Sequence, residues 1–594
     1  MKELAYINQF FFKYKWRLLI GTVFVVASNL FRVLQPQVIR EALDLVLENS
    51  TRYQLYEGFD AQQQLYKTLG SILLLFGLTV LCLALIMGIF MYFMRQTIIV
   101  MSRLIEYDIR NNIFAHYEKL TLSFYKRNNT GDLMARISED VNHVRMYIGP
   151  AVMYAINLTA LFVLVISSMV SVSLEMTLYV LLPLPFLSLS IYYVSNLINK
   201  RSAAIQGQLS TLNSTAQEAY SGIRVIKSYV QEAAMGRFFA KQSEAFKEKS
   251  MGLARIEAFF HPLVLLLIGI STLLTIYIGG LQAIKGNITA GNIAEFVIYV
   301  NMLTWPVMAI GWVASVIQRA SASQERINEF LNTEPDIILE SNEIYPLKGD
   351  IKFEKVSFVY PDTGIKAIDN VSFNLKSGEK LAIVGKTGSG KTTLADLILR
   401  MYDVTNGEIL IDDKNIKSHS VKAIRQRTGY VPQDVFLFSE NIADNIRFGK
   451  PNATQEEIEE YTKYASIYDE IKGLKEGFET VVGERGVTLS GGQKQRVSIA
   501  RALIKEPDIL IFDDCLSAVD TTTEQRILNY FDTVLKNKTA IIITHRIYSL
   551  LEFDKIIVLD EGRITEIGTH KELLANKGFY FEMFEKQKVE EVIA

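Results

Sequence analysis

Six long apolar runs fill the first half of the chain, at residues 17–38, 69–94, 148–171, 175–197, 257–280 and 292–316. Each is long enough to cross about 30 Å of hydrocarbon as a helix. Two long charged connections follow the second and fourth runs, and their helical periodicity predicts helices that continue well past a bilayer. Residues 1–15, with Phe10, Phe11, Phe12 and Tyr14 beside Lys2, Lys13 and Lys15, read as a short interfacial helix that feeds the first run. From residue 345 the pattern changes to short apolar strands, such as 381–384 and 509–512, alternating with helical stretches. That is the pattern of a soluble α/β domain. The expected organisation is a six-helix membrane domain over 1–325, a linker over 326–348 and an α/β domain over 349–590.

Charge gives the membrane half an orientation. The segment 41–66 carries Glu41, Asp44, Glu48, Glu57 and Asp60 against Arg52 alone. The connections after the second and fourth runs are rich in base, including Arg95, Arg103, Arg110, Lys126, Arg136, Lys200, Arg224, Lys227 and Lys241. The positive-inside rule places both connections, both termini and the α/β domain in the cytoplasm. The layout, the scarce cysteine and the lack of a transit-peptide pattern point to the plasma (inner) membrane for the spans. Few ionisable residues lie inside the runs. Glu295, near the start of the sixth, reads as a residue that reaches the interface, and no buried charge cluster is expected. That argues against a proton- or ion-driven carrier. Cys82 and Cys515 have no plausible partner, so neither a disulfide framework nor a cysteine metal site is expected. No signal peptide is read at the N-terminus. A net charge of −2 excludes a broadly basic nucleic-acid surface.

The second half carries phosphate-handling chemistry. Gly385-Lys386-Thr387-Gly388-Ser389-Gly390-Lys391-Thr392, then Thr393, follows a predicted strand and opens a predicted helix. In that context the glycines let backbone N–H groups approach phosphates, and the helix start favours an anion. Lys391 is expected on the β/γ-phosphates and Thr392 on Mg²⁺. Asp513, at the end of the apolar strand 509–512, is the expected second Mg²⁺ holder. Leu489-Ser490-Gly491-Gly492-Gln493 stands at the start of a helix, where free N–H groups meet anions.

With that pentapeptide the chain resembles the ATP-binding cassette transporters. The resemblance covers about residues 1–590 and implies six spans fused to a P-loop ATPase, the exporter half-transporter layout. It implies ATP and Mg²⁺ as cofactors. By the same resemblance Tyr360 stacks on adenine, and Gln433 senses Mg²⁺ and the attacking water. Gly483-Glu-Arg-Gly486 precedes the signature, Ser517-Ala-Val-Asp520 is the D-loop, and His545 touches the γ-phosphate. Ser123-Phe-Tyr125 with Gly131-Asp-Leu133 and Arg136 looks like one coupling region, and Gln217-Glu-Ala with Gly222–Lys227 like a second. In this family each ATP lies between one cassette's P-loop and another's signature (here Ser490 to Gln493), so a chain with one of each works as a dimer.

One position departs from the family. Asp514 stands where the family has Glu, one methylene longer. Misplacing the carboxylate by roughly 1 Å can cost about 10²-fold in rate. Two expectations stay open. In one, Asp514 is the working carboxylate of a homodimer that exports or flips a hydrophobic or amphipathic substrate, a lipid or a drug. In the other, the chain is the degenerate subunit of a heterodimer with a Glu-containing partner. An ATP-gated channel on the same scaffold would need a ring of charges in the spans, and none is read. The four aromatics Phe296, Tyr299, Trp305 and Trp312 of the sixth run are expected to pack or to anchor at the membrane interface rather than to line a cavity.

Overall fold

A computed structural model describes residues 3–337, 343–483, 488–516, 519, 523, 524, 526, 527, 529, 530, 538–545 and 553–593. The chain forms two compact units. One is the chain up to Glu118 together with Gly131–Thr333, and the other is Lys119–Thr130 with the chain from Glu334 onward.

The first unit holds six long helices: α1 Lys15–Leu55, α2 Asp60–Tyr117, α3 Thr130–Val172, α4 Leu174–Ser221, α5 Glu232–Ile284 and α6 Ala290–Leu331. At about 1.5 Å per residue even the shortest runs roughly 60 Å, about twice the hydrocarbon thickness. The apolar runs are therefore only parts of longer helices, as the periodicity of the connections implies. α6 continues to Leu331, past the expected linker start at 326. Along α2 the side chains of Leu74, Leu75, Leu78, Leu81 and Leu85 are exposed, an apolar face suited to lipid. The inner faces of α1, α3, α4 and α6 meet in a core that includes Val33, Leu161, Met169, Val180, Phe296 and Tyr299. The first residues are helical, as expected, over Glu3–Ile7 and Asn8–Lys13. They are tied to the bundle by the Lys13–Asp108 ion pair at 2.6 Å and by Asn328, whose amide donates to the Glu3 carbonyl at 2.9 Å.

One expectation about this unit is overturned. Glu295 does not reach an interface; it is fully buried. Its carboxylate lies 3.2 Å from the Arg40 guanidinium and accepts from the Tyr299 hydroxyl at 3.0 Å and from the Asn292 amide at 3.4 Å. Gln37 donates in turn to the Tyr299 oxygen at 3.3 Å. A buried charge cluster therefore joins α1 to α6, and the argument built on its absence falls. The desolvation cost of Glu295 is offset by a cation and two neutral donors. Beside it Asp44 accepts from the Gly291 backbone N–H at 2.8 Å and the Thr289 hydroxyl at 2.7 Å, capping the start of α6. A Cβ on Gly291 would sit 2.6 Å from that carboxylate, so the close approach needs glycine.

The second unit is built on two sheets. Strands β1 Ile351–Val359, β2 Lys366–Leu375, β3 Lys380–Gly385, β4 Asn406–Ile411, β5 Lys414–Asn415, β6 Thr428–Val431, β7 Ile509–Asp513, β8 Thr539–Ile543, β9 Lys555–Asp560 and β10 Arg563–Gly568 follow in chain order. The antiparallel sheet is ordered β2-β1-β4-β5 and the main sheet β10-β9-β3-β8-β7-β6. In the main sheet β9, β3, β8, β7 and β6 are all parallel. β3, β7 and β8 read as nearly continuous apolar runs because both of their faces are covered. Residues 119–130, from the connection that follows α2, pack with this unit. Leu122 lies against its core and Arg127 pairs with Asp336 at 3.2 Å.

Replacing Arg40 by Leu should strand Glu295 and cost about 3 kcal/mol, the scale for breaking a buried pair. The double replacement Arg40→Leu with Glu295→Leu should recover most of that loss, read as the thermal unfolding midpoint in detergent. Equal midpoints for the single and double variants would contradict the pairing.

Candidate ATP site

Parallel pairing decides where the phosphate chemistry gathers. Because β3, β8, β7 and β6 run the same way, their carboxyl ends share one sheet edge. Such edges are where open α/β sheets bind ligands. β3 ends at Gly385, β7 at Asp513, and β8 at Ile543, two residues before His545. β6 ends at Val431, two residues before Gln433. Four segments distant in sequence thus deliver Lys391, Asp513, Asp514, His545 and Gln433 to one edge.

The loop 385–390 leads into helix α7, Lys391–Ile398. Gly390 has φ +99°, and a Cβ there would lie 2.4 Å from the Ala367 carbonyl oxygen. Glycine is therefore required by both conformation and space. The Lys391 ammonium donates to the carbonyls of Gly385 at 2.9 Å and Lys386 at 2.8 Å, which folds it over the loop. Burial lowers its pKa, and Asp514 and Asp513 oppose the shift. Lys386 points elsewhere, to Asp560 at 3.3 Å. Thr387 and Gly388 are exposed on the loop tip, whereas Ser389 is buried.

Asp513 is almost fully buried, and one of its carboxylate oxygens has no hydrogen-bond partner. Burial raises its pKa, while the Thr392 side chain beside it lowers it. A buried, unpartnered carboxylate oxygen next to a threonine hydroxyl fits Mg²⁺, which takes few protein ligands and completes its shell with phosphate and water oxygens. Asp514 follows at φ +46°, with its amide donating to the Ile543 carbonyl at 2.9 Å. His545 lies within the field of both Lys391 and Asp514. Burial, reinforced by Lys391, lowers its pKa, so the imidazole is neutral at pH 7. Gln433 is exposed beyond β6.

Tyr360 follows β1, and its hydroxyl shares a 2.9 Å hydrogen bond with Thr393 on α7, which places its ring beside the phosphate loop. Two neighbours of this ring were not foreseen from the sequence. The Lys126 ammonium lies 4.9 Å from the ring centroid. Asp396, on α7, is buried, and its carboxyl is pushed up to about 6 by burial, with Lys126 opposing. The coupling-region motif around Ser123 was the available signal for Lys126; Asp396 had none.

The signature segment opens helix α8, Gly491–Leu503. Ser490 caps it: its hydroxyl accepts from the Gln493 N–H, while the Gln493 side chain accepts from the Ser490 N–H at 2.9 Å. The Gln493 amide also donates to Glu470 at 3.0 Å. Both side chains are thus engaged within the chain, and the backbone of Gly491 and Gly492 forms the open helix start. Asp520, Ser517 and the Glu484–Gly486 stretch lie outside the described residues.

Comparison with known proteins agrees with this geometry. The family description "ABC transporter transmembrane region" matches residues 18–307, and "ABC transporter" matches residues 368–517. The chain is 36% identical to "Probable multidrug resistance ABC transporter ATP-binding/permease protein YheI" of Bacillus subtilis (strain 168), over 98% of this chain and 97% of that one. It is 33% identical to "ATP-dependent lipid A-core flippase" of Syntrophus aciditrophicus (strain SB), over 87% of this chain and 86% of that one. A solved structure, "Structure of a bacterial Atm1-family ABC exporter with ATP bound", superposes with a TM-score of 0.77 at 26% identity, covering 96% of this chain and 98% of the other. With six membrane-length helices, one ATP-binding cassette and this spread of similarity, the chain belongs to the ABC exporter family and is an ATP-hydrolysing membrane transporter.

Proposed function

We propose that the chain is one half of a dimeric exporter that moves a hydrophobic or amphipathic molecule, a lipid or a drug, out of the cytoplasmic leaflet. The carrying observation is the convergence of Lys391, Asp513, Asp514 and His545 on one sheet edge, in a chain that also holds six membrane-length helices. The activities named for its relatives, multidrug resistance and lipid flipping, support the cargo class. The basic residues of the long connections support a cytoplasmic cassette and cytoplasmic termini.

In this reading the loop 385–390 and Lys391 bind the phosphates, and Thr393 sets Tyr360 against the adenine. Thr392 and Asp513 hold Mg²⁺, which when bound neutralises phosphate charge. Gln433 and His545 orient the attacking water and the γ-phosphate. The helix start at Gly491 and Gly492 serves the nucleotide of a second half-transporter, and Asp520 contributes at the same seam. ATP held between two cassettes stabilises their closed pair, and that differential binding shifts the membrane domain.

A second reading has its own support: the chain's P-loop site is slow, and its signature completes a faster site on a Glu-containing partner. The backbone of Asp514 is held in the left-handed region by its bond to Ile543, so the backbone is not free to advance and make up the missing methylene.

Three variants of the full chain, reconstituted alone in lipid, separate these readings. If Asp514 is too short, Asp514→Glu raises Mg-ATP turnover, by up to about 100-fold, over a native rate that Asp514→Asn leaves unchanged. If Asp514 is the working base of a homodimer, Asp514→Asn abolishes a robust native rate. Lys391→Ala should remove ATP binding in either case, and ATP-dependent flux of a labelled lipid or drug tests export itself.

The neutral His545 gives a pH prediction. Turnover should hold steady as pH falls from 8 past 6.5, the ordinary histidine value, and decline only below it. His545→Gln should lower the rate and remove that acid limb. An inflection above pH 6.5 would show that the imidazole is charged in the working enzyme.

A further inference from the structure

Two helices of the membrane unit widen at the same level. α2 carries a π-helical segment at Arg95–Ile99, and α3 carries one at Tyr147–Ala151 that includes Pro150, besides another nearer its start at Arg136–Asp140. Proline lacks an N–H and crowds the preceding turn, which accounts for the second widening. Such segments cost stability and occur mostly at functional sites. Close helix contacts hold both in place. A Cβ on Gly21 of α1 would lie 2.5 Å from Ile98, and one on Gly149 of α3 would lie 2.5 Å from the Ser102 hydroxyl.

Between the widened turns lies a cavity of about 420 Å³, lined by Arg95, Gln96, Ile99, Pro150, Met153 and Tyr154. That volume is within the range of small-molecule sites. Its chemistry is one-sided. Arg95 supplies a full positive charge, and among the described residues its guanidinium has no ion pair or hydrogen bond, nor has the Gln96 amide. The remaining lining is apolar or aromatic. Tyr154 is braced by Trp305 and Trp312 of α6, each with its ring centroid 5.4 Å away. These two tryptophans, unlike the fully buried Phe296 and Tyr299, remain substantially exposed. Arg95 stands immediately after the apolar run 69–94, on the side that carries the basic connections.

We propose that this cavity is a binding subsite for an amphipathic anion. A phosphate- or carboxylate-type head group pairs with Arg95 and Gln96, and an apolar body lies against Pro150, Met153 and Tyr154. A guanidinium matches such head groups through two parallel N–H donors. The proposal rests on the export reading, whose cargo class it narrows to molecules with an anionic head. The same site would accept a membrane lipid or a free amphiphile, which share this chemistry.

The test uses the full chain in nanodiscs of zwitterionic lipid, without ATP, and follows the tryptophan fluorescence, with Trp16→Phe run in parallel to assign the change to Trp305 and Trp312. Three probes are titrated: dodecyl phosphate, dodecyltrimethylammonium with the same tail, and inorganic phosphate. Dodecyl phosphate should bind saturably and at least about tenfold tighter than the cationic amphiphile. Inorganic phosphate should have no effect. Arg95→Gln should weaken dodecyl phosphate by about tenfold, and Arg95→Lys, which keeps the charge but loses the two-donor fork, should recover only part of that loss. Repeating the titration in nanodiscs of anionic phospholipid identifies the source: competition there marks a lipid head group, and undiminished binding marks a free amphiphile. Equal affinity for the two head groups, binding of inorganic phosphate alone, or an unchanged Arg95→Gln would overturn the proposal. The head-group comparison on the native protein decides the matter even if Arg95→Gln fails to fold. Binding with no ATP-dependent flux of any probe would count against export alone; flux with no head-group preference would count against the subsite alone.

Discussion

The register of β3, β8, β7 and β6 is the constraint on which the ATP chemistry depends. Side-by-side parallel pairing carries every strand's carboxyl end to one edge, and each functional loop begins there. β3 and β7 are separated by β8, so Lys391 and Asp513 meet only because the intervening strand is in place. A slip of one residue in any pair would exchange the layers that the two faces of a strand pack against and move a functional loop by a strand step. The pairing of Leu381 and of Ile511 with Ile541 on the central strand fixes where the charges at the strand ends stand.

The membrane half obeys a different constraint. Apolar helices gain little by burying oil-like surface against oil-like lipid, so polar contacts and close backbone approaches carry more of the specificity. Both are present. The Arg40–Glu295–Tyr299 cluster joins the first helix to the last, and Asp44 reaches the backbone of Gly291. Gly21 and Gly149 let neighbouring helices approach where any larger residue would clash. The π-helical turns at Arg95–Ile99 and Tyr147–Ala151 lie at that same tightly held level.

Around the nucleotide edge the same few charges set one another's states. Burial, reinforced by Lys391, lowers the pKa of His545, and Asp514 and Asp513 hold that of Lys391 up against its burial. Asp396 and Lys126 extend this field to the Tyr360 ring. Lys126 comes from the connection after α2, yet it packs in the cassette's own compact unit. That placement gives a segment adjoining the membrane helices a direct contact with the ring expected to hold adenine.

Much of this protein is legible from its residues in order. Six apolar runs, a glycine-rich loop between strand and helix, an acidic strand end and a capped signature helix are local patterns, with periods or spacings that a short window contains. Glu295 was misread because its partner, Arg40, is 255 residues away, and no local pattern reports a contact between distant helices. The capping of the signature helix follows from its Ser490–Gln493 spacing, whereas the hydrogen bond from the Gln493 amide to Glu470 joins segments 23 residues apart. The four aromatics of the last span looked alike at helical spacing. Packing alone separated buried Phe296 and Tyr299 from the two tryptophans that brace Tyr154. Local periodicity specifies which elements form and what chemistry they bear. Which charges are neutralised, and which are left to face a ligand, depends on long-range contacts that exist only once the helices and strands have packed.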